Sequence, residues 1–533
     1  MPKIVIDGSE IEVEQGANLI AAAELAGIRI PHFCYHPALS VVAQCRQCLV
    51  EVKGVPKVMP ACNTFATDGM EVVTNSEKAV SARRATVEFT LINHPLDCPV
   101  CDKGGECPLQ MTTVSHGRDY SRFDPPEEKK VRKKYYLGEK IVYDPNRCIM
   151  CTRCVRFTDE VTGTGELGYD NRGFRKKITV FPGMELNNEL SGNVIDLCPV
   201  GALLPADSLH GERVWYLKHT DTVCPLCSNG CNITVGANLR EGGIMRVRPR
   251  FNAEVNGHWI CDRGRFEFED TGAPAKRLKQ PIRKTEEGGY EPVSWDAAAE
   301  IFRASPVSRS AIVCSASLTN EELYLALKMS EEFGFSRLAC NAGEPGGGGG
   351  EKKFGLISPD PFPNSAGARD LGIACGAAEV GEIISGLLSG ELDSLFVIQT
   401  DLTAFGDAAA IGRALENLSF LAVLDTRLTA TGRLAGLLLP GATPYEKDGT
   451  FTNDRGRVQR IRKAIDPPGE AKPEWEALKL LCASKPEQFF HNSPAEIMGE
   501  ISARFKPYEA MDYDLIDFLG VGRKGDVSGQ PSV

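Results

Sequence analysis

Fifteen of the 19 cysteines lie between Cys34 and Cys261, and they fall into groups with the spacing of metal ligands. Cys34, Cys45, Cys48 and Cys62 run C-x10-C-x2-C-x13-C. A single cysteine, a C-x2-C pair and a distant fourth ligand suit one loop wrapped around a flat [2Fe-2S] cluster. Cys34-Tyr35-His36 also carries half of a Rieske motif, but the later pair is C-x2-C and not C-x2-H. His32 and His36 are therefore expected to pack, or to support the ligands, rather than bind iron.

HPLDCPVCDKGGEC, residues 94–107, supplies only three thiols, Cys98, Cys101 and Cys107. His94, Asp97, Asp102 and Glu106 are the nearby donors for a fourth position, and imidazole is the better match to a cluster already holding three thiolates. The other clustered cysteines sort into complete sets of four, so none is left to lend. His94 is the expected fourth ligand of a [4Fe-4S] cluster, and a neutral ligand should shift its potential. The third group opens C-x2-C-x2-C at Cys148, Cys151 and Cys154 and ends at Cys198-Pro199. Overlaid on the doubled C-x2-C-x2-C-x3-C-P pattern of two-cluster ferredoxins, the missing ligand positions fall on Thr158, Asn188, Ser191 and Val194. All four ligands of one cluster are absent together, which leaves a complete set for a single [4Fe-4S] cluster. The fourth group, Cys224, Cys227, Cys231 and Cys261, runs C-x2-C-x3-C-x29-C. On spacing alone it fits either a four-cysteine zinc site or another cluster.

These ligands need elements to carry them. KIVIDGSEIEVE alternates as two short strands around a turn, and ANLIAAAELAGI reads as a helix ending at Gly27. Two strands, a helix and then a cysteine loop resemble the β-grasp ferredoxin fold. In the second half, AIVCSA, LFVIQTDL and FLAVLDT are short apolar runs separated by helical stretches such as NEELYLALKMSEEFG, the pattern of a parallel α/β layer structure.

Composition narrows the class. Hydrophobic residues at 42% and charged residues at 25% are ordinary for a globular chain, and 533 residues allow several domains. A net charge of −11 argues against a nucleic-acid role. The N-terminal stretch lacks a secretory pattern, and no run of eighteen apolar residues occurs, so a cytoplasmic protein reaching a membrane only through partners is expected. An odd number of cysteines there speaks against a disulfide framework.

Beyond Cys261 the stretch DRGRFEFEDTGAPAKRLKQPIRKTEEGGYEPVSWDAAAEI resembles the segment joining the [4Fe-4S] domain to the pterin-binding body of molybdopterin oxidoreductases. The order of the four groups followed by that region resembles the large iron-sulfur (G-type) subunit family of proton-pumping NADH-quinone oxidoreductases, respiratory complex I. The resemblance covers nearly the whole chain and implies a multidomain α+β and α/β protein. Residues 1–78 would form the β-grasp [2Fe-2S] domain, 79–138 the segment with one histidine and three cysteine ligands, and 139–216 the ferredoxin-like domain with one [4Fe-4S] cluster. Residues 217–273 would hold an all-cysteine [4Fe-4S] cluster, found in only some bacterial members and off the main path, and 274–533 a truncated molybdopterin-oxidoreductase-like domain. Implied partners are a flavin- and NADH-binding subunit, a thioredoxin-like [2Fe-2S] subunit and the quinone-side peripheral subunits, with the membrane arm met only indirectly. The whole would lie on the inner face of the cell membrane. Related relay modules serve NAD-linked formate dehydrogenases and soluble hydrogenases, which makes an electron-input arm the alternative.

The second half also resembles a molybdenum enzyme, and LLLPGATPYEKDGTFTNDRGRVQR, residues 437–460, is similar to a stretch near a pterin pocket. The region after Cys261 is short for such an enzyme, and Arg263 stands where that family has a lysine between cluster and pterin. Cys340 is the one cysteine set like a molybdenum ligand, against the ordinary reading of a buried free thiol. A scaffold without molybdopterin is expected. Gly163, Gly165 and Gly168 satisfy G-x-G-x-x-G without a βαβ unit around them, and GGGGGEKK, residues 346–353, lacks the GK[ST] of a phosphate loop and reads as a surface loop. No NADH, flavin or quinone site is therefore expected. The run KKVRKK, residues 129–134, reads as a solvated linker at a domain junction or a dock for an acidic face.

Overall fold

Lys3–Ile6 buries Ile4 and Ile6, turns at Asp7-Gly8, where both residues have positive φ (48° and 88°), and pairs antiparallel with Ser9–Glu12. Asp-Gly at a two-residue loop is the chemistry that a primed hairpin turn requires. These strands open the first of two units into which the computed structural model divides, Met1–Leu217 and Lys218–Val533. It describes residues 1–123, 132–240, 242–268, 277–344, 350–517 and 519–523.

In the first unit a five-stranded mixed sheet has the order Ser9–Glu12, Lys3–Ile6, Glu71–Val73, Leu49–Val52, Met59–Pro60. The helix Leu19–Leu25 is capped by Asn18, whose side chain accepts from the amides of Ile20 and Ala21. It ends before Gly27, at φ +70°. Its Leu19, Ile20, Ala22 and Ala23 share a core with Ile4, Val50 and Val72, and Cys48 and Cys62 belong to the same core. The helices Glu77–Ile92 and Pro108–His116 carry the next cysteine segment between them. A small sheet of Leu203–Pro205, Ile141–Tyr143 and Tyr135–Tyr136, with the short helices Arg153–Arg156 and Asn193–Leu197, holds the third group.

Thr158, Ser191 and Val194, three of the positions without a ligand, are wholly buried, and Asn188 nearly so. Asn188 donates to the Glu166 carboxylate at 2.5 Å and Thr158 to Val155 O at 2.9 Å. Polar packing fills the place where a second cluster would need its cage. Gly163 and Gly165 have positive φ in the loop before a two-stranded hairpin, Leu167–Asp170 with Lys177–Val180, and no helix follows them as a dinucleotide turn demands.

The second unit opens, from the second residue of the strand Leu217–Val223 onward, with a three-stranded sheet completed by Asn232–Asn238 and Ile244–Pro249. Its main body is an eight-stranded sheet. Six parallel strands lie in the order Leu437–Pro440, Phe420–Asp425, Ser394–Ile398, Ser310–Ser315, Arg337–Asn341, Ala374–Cys375, and an antiparallel pair, Ile282–Lys284 and Tyr290–Pro292, extends one edge. This is a doubly wound order, with the reversal between Ser310–Ser315 and Ser394–Ile398. Ile312, Cys314, Phe396 and Leu424 face one core with the helix Asn320–Phe333, and Val313, Val397 and Val423 face the other with Ala377–Leu388. Near-continuous apolar strands are what burial on both faces selects. Among the described residues no helix is long and apolar enough to cross a membrane. Of KKVRKK, residues 129–131 lie outside the described residues, as do 346–349 of the glycine run.

Candidate metal centres

Cys34, Cys48 and Cys62 are buried at the edge of the first core, and Cys45 is half-buried. The Cys45 thiol hydrogen-bonds to Cys34 and holds it down to about 5, while Cys48 is pushed up by its bond to Cys62 and by burial. Cys45 Sγ also accepts from the Phe33 amide at 3.4 Å. Ala43 and Arg46, at φ 48° and 54°, take left-handed backbone in this loop, as Met150 and Thr152 do at 56° and 65° in the third group. Such conformations cost energy and persist where the surroundings dictate them, commonly at ligand sites. His32 hydrogen-bonds Ile30 O at 2.9 Å and meets Tyr35 edge-on, and His36 Nδ1 accepts from the Ala38 amide, so both support the loop.

His94, Cys98, Cys101 and Cys107 line one cavity of about 400 Å³. The competing donors are turned to other work. Asp97 accepts from Arg147 Nη2 at 2.6 Å and Nε at 2.9 Å, Asp102 accepts from the His210 amide at 3.0 Å, and neither Asp102 nor Glu106 lines the cavity. Gly105, at φ +90°, turns the chain under Trp215, and a Cβ at Gly201 would stand 2.2 Å from Cys101 Sγ. Only glycine at position 201 leaves that sulfur its place.

Cys148, Cys151, Cys154 and Cys198 line a single small cavity with Tyr143, Ile178, Val200 and Leu203. Burial pushes Cys151 up to about 12 and also raises Cys154 well above its ordinary value, and the neighbouring thiols of the same group add to both. Met150 N lies 3.4 Å from Cys148 Sγ. In the second unit Cys224 precedes the loop and Cys231 closes it, joined by Cys224 N to Cys231 O at 2.9 Å. The Cys261 sulfur accepts from the Gly264 amide at 3.3 Å, and Asn229 Nδ2 reaches Cys231 Sγ at 3.1 Å. Burial and mutual repulsion within the group raise Cys224, Cys231 and Cys261.

Sets of buried thiols that repel one another fit a cationic iron core, which takes them as thiolates and removes the repulsion. Among the described residues no three His, Cys, Asp or Glu side chains converge tightly enough for a single metal ion. Tyr445 gives a second observation at the fourth group. Its hydroxyl is buried without a hydrogen-bond partner among the described residues and lies within electrostatic reach of Cys224 and Cys261, where a cluster's sulfur would accept from it.

The sequence did not disclose the residues that tie the groups together. Arg156 Nη2 donates to Cys34 O at 2.6 Å and to Cys151 O at 3.4 Å, and Arg153 bonds both Tyr35 O and Leu197 O. Cys107 Sγ meets Pro199 O at 3.7 Å, and Arg147 links Asp97 to Gly201 O. Cys45, His94 and Cys148, one from each group of the first unit, line one further cavity of about 350 Å³. The C-P-V-G run after Cys198 was the one local hint of this closeness.

Beside the end of the main sheet where strand order reverses, ionisable side chains of the chain itself are buried together. Lys447 Nζ lies 2.8 Å from Glu322 and 2.5 Å from Glu474, and all three side chains are fully buried. Gln399, just after Ser394–Ile398, donates to Glu474 at 2.5 Å. Arg263 points outward to Glu267 at 3.1 Å, whereas Lys352, at the end of the glycine run, is anchored to Asn229 at 2.6 Å and Asp454 at 2.7 Å. Gly350, Glu351 and Lys353 are exposed, as a surface loop requires, and Lys352 is its anchored, half-buried residue. Cys340 lies within the strand Arg337–Asn341, fully buried, as a core thiol does.

Family models match in the same order: a 2Fe-2S iron-sulfur cluster binding domain over residues 3–77, the NADH-ubiquinone oxidoreductase-G iron-sulfur binding region over 83–122, and the NADH-quinone oxidoreductase subunit 3 ferredoxin-like domain over 138–204. The molybdopterin oxidoreductase Fe4S4 domain follows over 217–270, and molybdopterin oxidoreductase over 338–484. A G-type subunit of NADH-quinone oxidoreductase from Rhizobium meliloti, the second of that name, is 41% identical over 62% of this chain and 39% of its own. The chain is a homologue of the large iron-sulfur, G-type subunit. The mitochondrial NADH-ubiquinone oxidoreductase 78 kDa subunit of Neurospora crassa is 42% identical over 64% of this chain and 46% of its own. The G-type subunit of Rickettsia felis is 37% identical, with 64% and 50% covered, so the matches span half or less of these relatives. Among solved structures, a chain of the NAD+-reducing [NiFe]-hydrogenase in the H2-reduced state is 29% identical over 40% of this chain and 91% of that one, with a TM-score of 0.35.

Proposed function

We propose that this G-type homologue is the electron relay of an NADH-quinone oxidoreductase, passing single electrons from a flavin-bearing, NADH-oxidising partner toward quinone-side subunits. Cys34, Cys45, Cys48 and Cys62 hold a [2Fe-2S] cluster in a β-grasp domain. His94, Cys98, Cys101 and Cys107 hold one [4Fe-4S] cluster, Cys148, Cys151, Cys154 and Cys198 a second, and Cys224, Cys227, Cys231 and Cys261 a third.

The observation that carries this reading is contiguity. Tunnelling decays steeply with distance, and the cysteine loops of the first unit touch through single side chains: Arg156 between Cys34 and Cys151, Cys107 against Pro199, and the cavity shared by Cys45, His94 and Cys148. A zinc-stabilised binding module has no need of such adjacency. Iron-sulfur clusters supply one-electron chemistry, and the hydride of NADH has to be split by a flavin first. The chain's own residues bury most of the thiols, supply backbone N–H donors to sulfur and place cationic Arg147, Arg153 and Arg156 beside the cages, which sets potentials. Membrane attachment and contact with a thioredoxin-like [2Fe-2S] subunit belong to the same proposal.

The second unit's body is read as a scaffold without molybdopterin. The switch-point crevice, where doubly wound folds take their ligands, holds the Lys447–Glu322–Glu474 ions. Spectroscopy tests the relay: the isolated chain should be bleached by dithionite and left unchanged by NADH, with NADH becoming effective once the flavin-bearing partner is added. Direct bleaching by NADH would overturn the assignment.

A further inference from the structure

Three of the four cysteines beyond Cys261, scattered in sequence, stand on one rung of the parallel sheet. Cys314 is the register partner of Cys340, and Cys340 of Cys375. All three face the core shared with the helix Asn320–Phe333. Neighbouring strands lie about 4.8 Å apart, within the Cα separation of roughly 4.4–6.8 Å that a disulfide spans. The Cys340 thiol is within hydrogen-bonding reach of both neighbours. Cys482, by contrast, closes the helix Glu474–Leu481.

The members of the rung differ. Cys314 and Cys340 are fully buried, and Cys375 is half-buried at the sheet edge. Gly376, the residue after Cys375, is the N-cap of the 12-residue helix Ala377–Leu388, whose amide end favours an anion. A hydrogen bond from Cys340 and the nearby Arg369 hold the Cys375 thiol below its ordinary value, whereas burial drives Cys340 well above. The outer thiol has the setting of a nucleophile, and the inner one that of a protonated partner.

We propose that Cys375 is a peroxide-reactive thiolate and Cys340 its resolving thiol, forming a reversible disulfide between paired strands. The Cys375 sulfur attacks hydrogen peroxide, an S–O bond forms as the O–O bond breaks, and hydroxide leaves. Cys340 sulfur then attacks the sulfenic sulfur, and its proton departs with the displaced hydroxide as water. The two thiols lose two electrons and the peroxide gains them. Half-buried at the sheet edge, the Cys375 sulfur stays within reach of an external dithiol, which reduces the bridge by exchange. This site is independent of the cluster assignments.

The test uses the full, anaerobically prepared chain, treated with substoichiometric hydrogen peroxide, alkylated, digested without reductant and mapped by mass spectrometry. A cross-linked Cys340–Cys375 peptide pair that disappears with dithiothreitol is expected, with Cys482 still a free thiol. In Cys340→Ser, Cys375 should accumulate as a sulfenic acid captured by dimedone. The proposal fails if Cys375 is still a thiol at peroxide doses that oxidise Cys482. It fails equally if the unsubstituted chain forms the sulfenic acid and no bridge follows.

Discussion

The two units bury polar groups in opposite ways. In the first, thiols from loops of left-handed backbone crowd together, and burial and mutual repulsion push many of them upward. In the second unit's sheet body, the buried charges are already answered: Lys447 lies between Glu322 and Glu474, and Arg277 binds Glu446 at 2.6 Å. In the proposed reading an iron core completes the first arrangement, whereas the second already carries its own counter-charge. The difference teaches that burial of ionisable groups does not by itself mark a metal site: in the sheet body the chain supplies the counter-charge itself.

The strongest way to break that contrast is to remove its internal cation. Lys447→Met leaves two carboxyl groups buried side by side with backbone and amide donors and no cation, and should cost about 3–5 kcal/mol, read as a lowered denaturant midpoint for the second unit. Replacing Lys447, Glu322 and Glu474 together by Met, Gln and Gln should recover most of the loss. Next come the first unit's cages. His94→Ala should abolish or reshape one [4Fe-4S] EPR signal while the [2Fe-2S] signal persists, and Gly201→Ala, which sets a methyl against Cys101, should damage the same signal. An unchanged spectrum in both would remove the imidazole and the glycine from the site.

A smaller effect is expected with pH. Burial first, and then the Glu322 charge, raise the Glu474 carboxyl to about 8. A folded value above the ordinary 4.5 means that the folded state holds a proton the unfolded state releases, so this stability is full below about pH 4.5 and is lost as pH rises toward 8. Denaturation midpoints measured across that window should fall, and Glu474→Gln should flatten the slope. The smallest change belongs to Tyr445→Phe. Deleting one hydroxyl donor should lower the midpoint potential of the fourth group's cluster and leave the other signals where they were.

The candidate ligand groups and the order of the domains that carry them could be read because their signals are local. C-x2-C-x2-C and the coherent loss at Thr158, Asn188, Ser191 and Val194 lie in the order of the chain, as do the alternation of KIVI and the helical stretch NEELYLALKMSEEFG. What stayed hidden depends on contacts made across long separations. Arg156 reaches back to Cys34, Lys352 reaches Asn229, and no periodicity marks either. The rung of Cys314, Cys340 and Cys375 exists only once three strands are in register. The stretch around Tyr445 was visible as pterin-like, and the electrostatic reach of Tyr445 to Cys224 and Cys261 was not.

Anaerobic purification followed by stepwise reduction under low-temperature EPR, with iron and acid-labile sulfide measured on the same sample, tests the central claim most directly. The account predicts one [2Fe-2S] and three [4Fe-4S] signals, one of the latter sensitive to His94. A chain that contains zinc, or neither iron nor sulfide, would contradict it.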